Sequence, residues 1–217
     1  MPNKLYYNTV DSLLFNVLKV LMEEKEFDAF RLVGGTALSL YRGHRKSIDI
    51  DLFTDAPYGS VDFNAIDTFL RRVYSYVETN DYDVIGFGKS YFVGKNEKES
   101  IKLDLFYTDS FIEKLVVIDN IRLATINEIV AMKLDVVSRG GRKKDFWDLH
   151  ELISDYTAEE MFLLHKQRYP YAHDPSLLKQ NFKKFESADD DFDPICLKGK
   201  YWELIKLDMI EFVDRML

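Results

Sequence analysis

Asp49 and Asp51 sit two residues apart in the run Ser47-Ile-Asp-Ile-Asp-Leu-Phe53, and that spacing is the first chemical signal in the chain. The run reads as a strand over 47–53. Successive strand side chains alternate faces, so both carboxylates point to one side while Ile48, Ile50 and Leu52 point to the other. Two neighbouring acids repel each other unless a cation lies between them. The pair therefore points to a magnesium site. Upstream, Gly34-Gly35-Thr36 follows a strand over 30–33 and opens a short helix over about 37–41. Without a Cβ the two glycines let the backbone approach a ligand closely. The free N–H groups of the following helix make a ready phosphate site, and Thr36 adds a hydroxyl. Taken alone, such a glycine pair is usually just a turn.

A third acid fits the same scheme. The segment 100–107, SIKLDLFY, alternates so that Ile101, Leu103 and Leu105 share one face and Lys102 and Asp104 the other. Asp104 alone reads better as a sheet-edge aspartate. With Asp49 and Asp51 it can hold one or two Mg²⁺ ions, because magnesium takes a few carboxylates plus substrate phosphate oxygens. Two such ions about 3.5–4 Å apart serve both oxygens of an in-line phosphoryl displacement.

The rest of the chain must position these groups. Leu13, Leu14, Val17, Leu18 and Leu21 mark a helix over about 9–25 that Thr9 or Asp11 can cap. Gly43 can stop the short helix after the glycine pair. A second long helix is expected over 60–79, short strands over 82–87 and 90–93, and a hairpin over 115–123 turning at Asp119-Asn120. From Thr125 the pattern becomes helical. Thr125…Glu128 and Thr157…Glu160 are capping-box patterns. Helices are expected over 144–153 and about 200–216, with Pro175 opening another behind Asp174. The acidic run Asp189–Asp193 reads as a loop. The expected fold is α+β: a catalytic core with a mixed sheet over 1–124, and a helical region over 125–217 packed on it.

Composition narrows the classes. The chain has 217 residues, 47% hydrophobic and 30% charged, as in an ordinary globular protein. No apolar run approaches a membrane span. The start MPNKLYYNTVDSLL lacks a signal-peptide core, and the single Cys196 excludes an internal disulfide, so a cytoplasmic protein is expected. The net charge of −8 argues against indiscriminate nucleic-acid affinity. Local patches exist at Arg42, His44, Arg45 and Lys46 and at Arg139, Arg142, Lys143 and Lys144; each also reads as a solvated surface cluster. His44 and His150 lack metal-ligand spacing and read as ordinary polar residues.

LVGGTALSLYRGHRKSIDIDLF resembles the nucleotidyltransferases of the DNA polymerase β superfamily, with their Gly-Gly or Gly-Ser turn, short helix and Asp-x-Asp. Together with IKLDLF and IVAMKLDVVSRGGRKKDFWDLHEL it is similar to the AbiEii/AbiGii toxin family, over about residues 30–153. The resemblance implies a polymerase β-like fold and a Mg²⁺-dependent enzyme moving a nucleoside monophosphate from an NTP to an acceptor hydroxyl on tRNA, another RNA or a protein. It implies that Gly34, Gly35 and Thr36 form the phosphate turn and that Arg45 and Ser47 touch nucleotide phosphates. Asp49 and Asp51 would be the metal pair, Asp104 the third carboxylate and base, and Lys133 a contact to the triphosphate. Asp145 and Asp148 match the two acids of a KDFxDL-type motif, at least one of them needed for activity. It also implies a cognate antitoxin protein. From the residues alone, Lys133 lies among apolar neighbours and reads as a snorkelling lysine. Asp145 and Asp148, three apart on a helix, read as neighbours that Lys144 could offset. The other function class is a nucleotide-binding regulatory module with weak catalysis that acts through a protein partner.

Overall fold

The computed structural model describes residues 4–79 and 86–215. Within them one seven-stranded mixed sheet forms the centre, in the order β3-β4-β5-β2-β1-β7-β6. Its strands are β1 (Arg31–Leu32), β2 (Asp49–Thr54), β3 (Tyr76–Thr79), β4 (Gly88–Asn96), β5 (Glu99–Tyr107), β6 (Val116–Ile118) and β7 (Ile121–Leu123). The helix α1 (Ser12–Glu23) precedes the strands, and α2 (Gly34–Arg42) and α3 (Phe63–Val73) lie between them in sequence. After the last strand come α4 (Ile126–Ser138), α5 (Lys143–Leu152), α6 (Ala158–Arg168), α7 (Pro175–Asn181), α8 (Glu186–Asp189) and α9 (Trp202–Asp214). This is the expected α+β architecture.

The strand that carries the acids is central. β2 pairs in parallel with β5 and antiparallel with β1. Alternation sends Ile50, Leu52, Leu103 and Leu105 to one face of these strands, where all four are fully buried, and α1 packs across β2, β5 and β7. The opposite face carries the acids, and α2, α4 and α5 pack against one another beside it.

Local signals account for most boundaries. Asp11 caps α1 by accepting from the Leu14 N–H, at 2.7 Å. Gly43 ends α2 at φ +65°, a conformation that side-chain-bearing residues avoid. Asp119 and Asn120 both take positive φ at the β6–β7 turn, as a two-residue hairpin requires. Thr157 and Glu160 complete a reciprocal capping box.

Four expectations are corrected. The helix expected over 60–79 stops at Val73, and Tyr76–Thr79 becomes β3, paired with β4. The apolar spacing through Val77 fits a helix, but pairing Val77 with Val93 wins. Ile48 lies outside β2 and is 71% exposed rather than facing the core. At α4 only half of the capping box forms: the Thr125 hydroxyl accepts from the Glu128 N–H, while the Glu128 carboxylate turns to Arg168. The acidic run is not free loop: Asp189 ends α8 and accepts from Trp202 Nε1, and Asp191 and Asp193 both bind Lys143. The strand expected over 82–87 and the last residue of the final helix fall largely outside the described residues.

Candidate active site

Asp51 and Asp104 stand directly opposite each other in the β2–β5 register, and Asp49 lies on the same face two residues away. They line a cleft of about 600 Å³ together with Gly34, Gly35, Lys102, Lys133 and Lys144. Burial, with Asp104 and Asp49 close by, pushes the Asp51 carboxyl up to about 6. Asp104 accepts from Lys102 through one oxygen at 2.6 Å, while its other oxygen is buried and accepts no hydrogen bond. The Lys144 ammonium lies 3.5 Å from Asp49. Three carboxylates thus face two flanking ammoniums, and the local repulsion is relieved only in part.

The donor set suits magnesium: hard oxygens, one of them orphaned, and a carboxyl whose ionisation is held back by burial and by neighbouring like charge. Among the described residues no three His, Cys, Asp or Glu side chains converge into a ready metal cage.

The glycine pair is explained twice over. Gly34 adopts φ +68°, and a Cβ there would lie 2.7 Å from Asp51 Oδ2. A Cβ on Gly35 would collide with the terminal nitrogen of Arg45. No side chain caps this end of α2, so its first-turn N–H groups are left for a ligand at the cleft wall. Gly35→Ala is therefore expected to lower stability by about 1–3 kcal/mol, because the Arg45 guanidinium is locked and cannot yield. Thermal denaturation checks this; an unchanged midpoint would show that Arg45 moves freely.

Arg45 is locked by Asp148. Its Nε and one terminal nitrogen reach the two Asp148 oxygens at 2.6 and 2.8 Å. His44 Nε2 lies 2.8 Å from the same carboxylate, and Lys133 Nζ 2.7 Å. Asp148 is 0% exposed. Although its burial opposes ionisation, Arg45 and Lys133 hold its carboxyl well below the usual range. Lys133 also donates to Asp145 at 2.7 Å, and the two aspartates raise its pKa against the effect of burial. Asp145 uses its second oxygen to accept from the Arg142 N–H, capping α5. Burial lowers the His44 pKa, so the imidazole adds a hydrogen bond rather than a charge.

Several sequence readings change here. His44 and Arg45 are buried members of this hub, not a solvated patch. Lys133 does not snorkel; it is clamped between two acids and still lines the cleft. Lys144 serves Asp49, and neither Asp145 nor Asp148. The Thr36 hydroxyl is buried against Ser47 Oγ, at 2.7 Å, and the Asp49 carbonyl, so it ties α2 to β2 instead of facing the cleft. Ser47 remains on the cleft wall. Lys143 is buried and paired, and Arg139 is paired with Asp135. Phe53, Met132 and Val136 add an apolar side to the cleft that motif spacing did not reveal.

Known proteins carry the same architecture. The structure of JHP933 from Helicobacter pylori superposes with a TM-score of 0.51 at 21% identity, covering 92% of this chain and 88% of that one. MenT4, a nucleotidyltransferase toxin of Mycobacterium tuberculosis H37Rv, superposes at 0.54 and 16% identity, covering 93% and 81%. These likenesses establish the nucleotidyltransferase fold. A protein of Aquifex aeolicus with no described activity is 28% identical over 193 residues, covering 82% of each chain. Residues 16–215 match the family described as nucleotidyl transferase AbiEii toxin, type IV toxin–antitoxin system. The sheet, the acid-bearing strand and a family match spanning nearly the whole chain lead to one conclusion: this protein belongs to the AbiEii toxin family and is a nucleotidyltransferase.

Proposed function

We propose that the enzyme moves a nucleoside monophosphate from an NTP to an acceptor hydroxyl in a Mg²⁺-dependent reaction, acting in the cytoplasm as the toxin of a toxin–antitoxin or abortive-infection pair. The observation that supports this most is the opposition of Asp51 and Asp104 across β2 and β5, with Asp49 beside them and the uncapped end of α2 on the cleft wall. In this reading Asp49, Asp51 and Asp104 hold the metal. Bound there, magnesium would neutralise charge on the phosphates and on the attacking and leaving oxygens. Gly34 and Gly35 offer backbone N–H groups to the phosphates, Thr36 and Ser47 fix that turn against β2, and Lys133 faces the triphosphate with a full positive charge. Asp145 and Asp148 act through Lys133 and Arg45 as positioning residues. The acceptor oxygen bonds to the α-phosphorus as the bond to pyrophosphate breaks, and its proton passes to Asp104.

The division into a core over 1–124 and a helical region over 125–217 belongs to the same reading. The second part supplies Lys133, Asp145 and Asp148, so the site needs both. The acceptor class is RNA, including tRNA, or protein, and the biological partner is an antitoxin protein. The test incubates the protein with each of the four labelled NTPs, Mg²⁺ and cell extract, then separates RNA from protein. Label is expected in one of the two fractions. NTP binding by calorimetry without transfer to either would leave the nucleotide-binding regulatory module as the reading.

A further inference from the structure

Two of the chain's four histidines face each other away from the cleft. His165 lies on α6 and is 1% exposed. His173 lies half-buried in the 169–174 segment that joins α6 to α7. Their Nδ1 atoms are 3.0 Å apart, so a hydrogen bond there needs one proton between two nitrogens. His165 Nε2 is buried, makes no hydrogen bond among the described residues and lies 3.7 Å from Asp135 Oδ1 on α4. A bare lone pair aimed at that carboxylate would be repelled, which assigns a proton to Nε2. His165 Nδ1 is then the acceptor, and the His173 Nδ1–H is the donor.

This bond ties down a segment with few other anchors. Pro170, Tyr171 and Ala172 are exposed. The Ala172 N–H donates to the nearby Tyr169 carbonyl, and Asp174 caps α7 through the Ser176 and Leu177 N–H groups. The next element reaches the cleft. Asn181 Nδ2 at the end of α7 donates to the Ser138 carbonyl at 2.5 Å. That carbonyl opens the α4–α5 turn, whose Gly140 and Arg142 line the cleft. Charged groups surround the pair on each packed element. On α4, Asp135 is paired with Arg139. On α6, Lys166 adjoins His165, and Arg168 pairs with Glu128 of α4. Burial, the facing His165 and Lys166 lower the His173 pKa, and Asp174 opposes them only in part.

We propose that His165 and His173 form a proton-operated latch that holds the 169–174 segment and α7 against α4, and that a proton on each ring opens it and loosens the α4–α5 turn. With one added proton the facing nitrogens still share a hydrogen, and the bond survives. With two, both Nδ1 atoms carry hydrogen, so two donors and two like charges meet. His165 is packed in place, so His173 is the ring that leaves. Asp135 does not cancel this repulsion, because it faces the other nitrogen of His165 and is shared with Arg139. The open state binds the second proton and the closed state does not. Closure therefore weakens as pH falls below the ordinary imidazole value of about 6.5, by at most about tenfold per pH unit. The latch concerns the protein's own equilibrium and stands apart from the transferase reading.

The test measures amide hydrogen exchange on the whole protein at pH 7.5 and 5.0, corrected for the intrinsic effect of pH on exchange. Wild-type protection at Leu178 and Phe182 in α7, and at Gly140 in the turn, is expected to fall roughly 10- to 30-fold at the lower pH. Amides of β5 should not follow. His173→Gln, which takes no proton, should lose this fall. A nuclear magnetic resonance titration of the imidazoles gives a second reading: the His165 signals should move in two steps in the wild type and in one in His173→Gln. The latch is overturned if α7 protection is the same at both pH values, if His173→Gln shows the same fall, or if the two rings titrate independently. Loss of protection in α7 with none at Gly140 would overturn its reach to the cleft. Micromolar Zn²⁺ that raises wild-type protection, reversed by a chelator, would put a metal ion rather than a proton between the nitrogens and overturn it as well.

Discussion

Asp51→Asn is expected to abolish transfer and, in metal-free buffer at pH 7, to raise the melting temperature. The Asp51 carboxyl titrates near 6 in the folded protein, against about 4 in an unfolded chain. The folded state therefore holds the proton more tightly between those values, and stability falls as pH rises from about 4 to 6. Above pH 6 the full cost of the charged form is present, and the neutral amide removes about 1–2 kcal/mol of it. Adding Mg²⁺ should stabilise the wild type, because an ion that binds only the folded state adds free energy. It should do much less for Asp51→Asn. Transfer should drop by roughly a hundredfold or more, since a metal-supported transition state is worth several kcal/mol. A variant less stable than wild type in metal-free buffer would contradict the cost of a buried, crowded charge at Asp51 on which the metal assignment rests.

Asp148→Ala should have the largest effect on stability. It leaves Arg45 and Lys133 buried without their shared counter-charge and removes the partner of His44. Breaking a buried ion pair on one side costs about 3–5 kcal/mol, or roughly 6–20 °C for a chain of this size. The pH dependence runs opposite to that of Asp51. A depressed carboxyl contributes stability above the unfolded value of about 4, and this is lost as pH falls through the folded value. Asp148→Asn should therefore flatten the acid limb of the stability curve while leaving enough fold to assay. Guanidinium chloride titrations at several pH values measure both. A loss below about 1 kcal/mol for the alanine variant would show that the hub is wet.

The contrast between these two aspartates marks what a sequence can and cannot show. Strand alternation was enough to put Asp49 and Asp51 on one face and to select Asp104, because the side-chain period of a strand is fixed by the backbone. Gly43 and the Asp119-Asn120 turn were readable for the same local reason. The hub was not readable. His44 and Asp148 lie 104 residues apart in sequence, and nothing in the spacing of His44, Arg45, Lys133 or Asp148 encodes their convergence on one buried carboxylate. The break between α3 and β3 was hidden by an apolar period that runs on through Val77. Lys102 was legible, since alternation puts it beside Asp104, but its ion pair there needs the folded rotamer. The acidic run looked like a free loop until Lys143 was seen to hold Asp191 and Asp193.

The most direct test of nucleotidyl transfer is a comparison of two labels in one reaction. NTP labelled at the α-phosphorus and NTP labelled at the γ-phosphorus are incubated in parallel with the protein, Mg²⁺ and cell extract, using wild type and Asp49→Asn. The α-label should become attached to the acceptor, the γ-label should leave as pyrophosphate, and Asp49→Asn should do neither. Appearance of the γ-label on the acceptor, or equal α-labelling by Asp49→Asn, would contradict it.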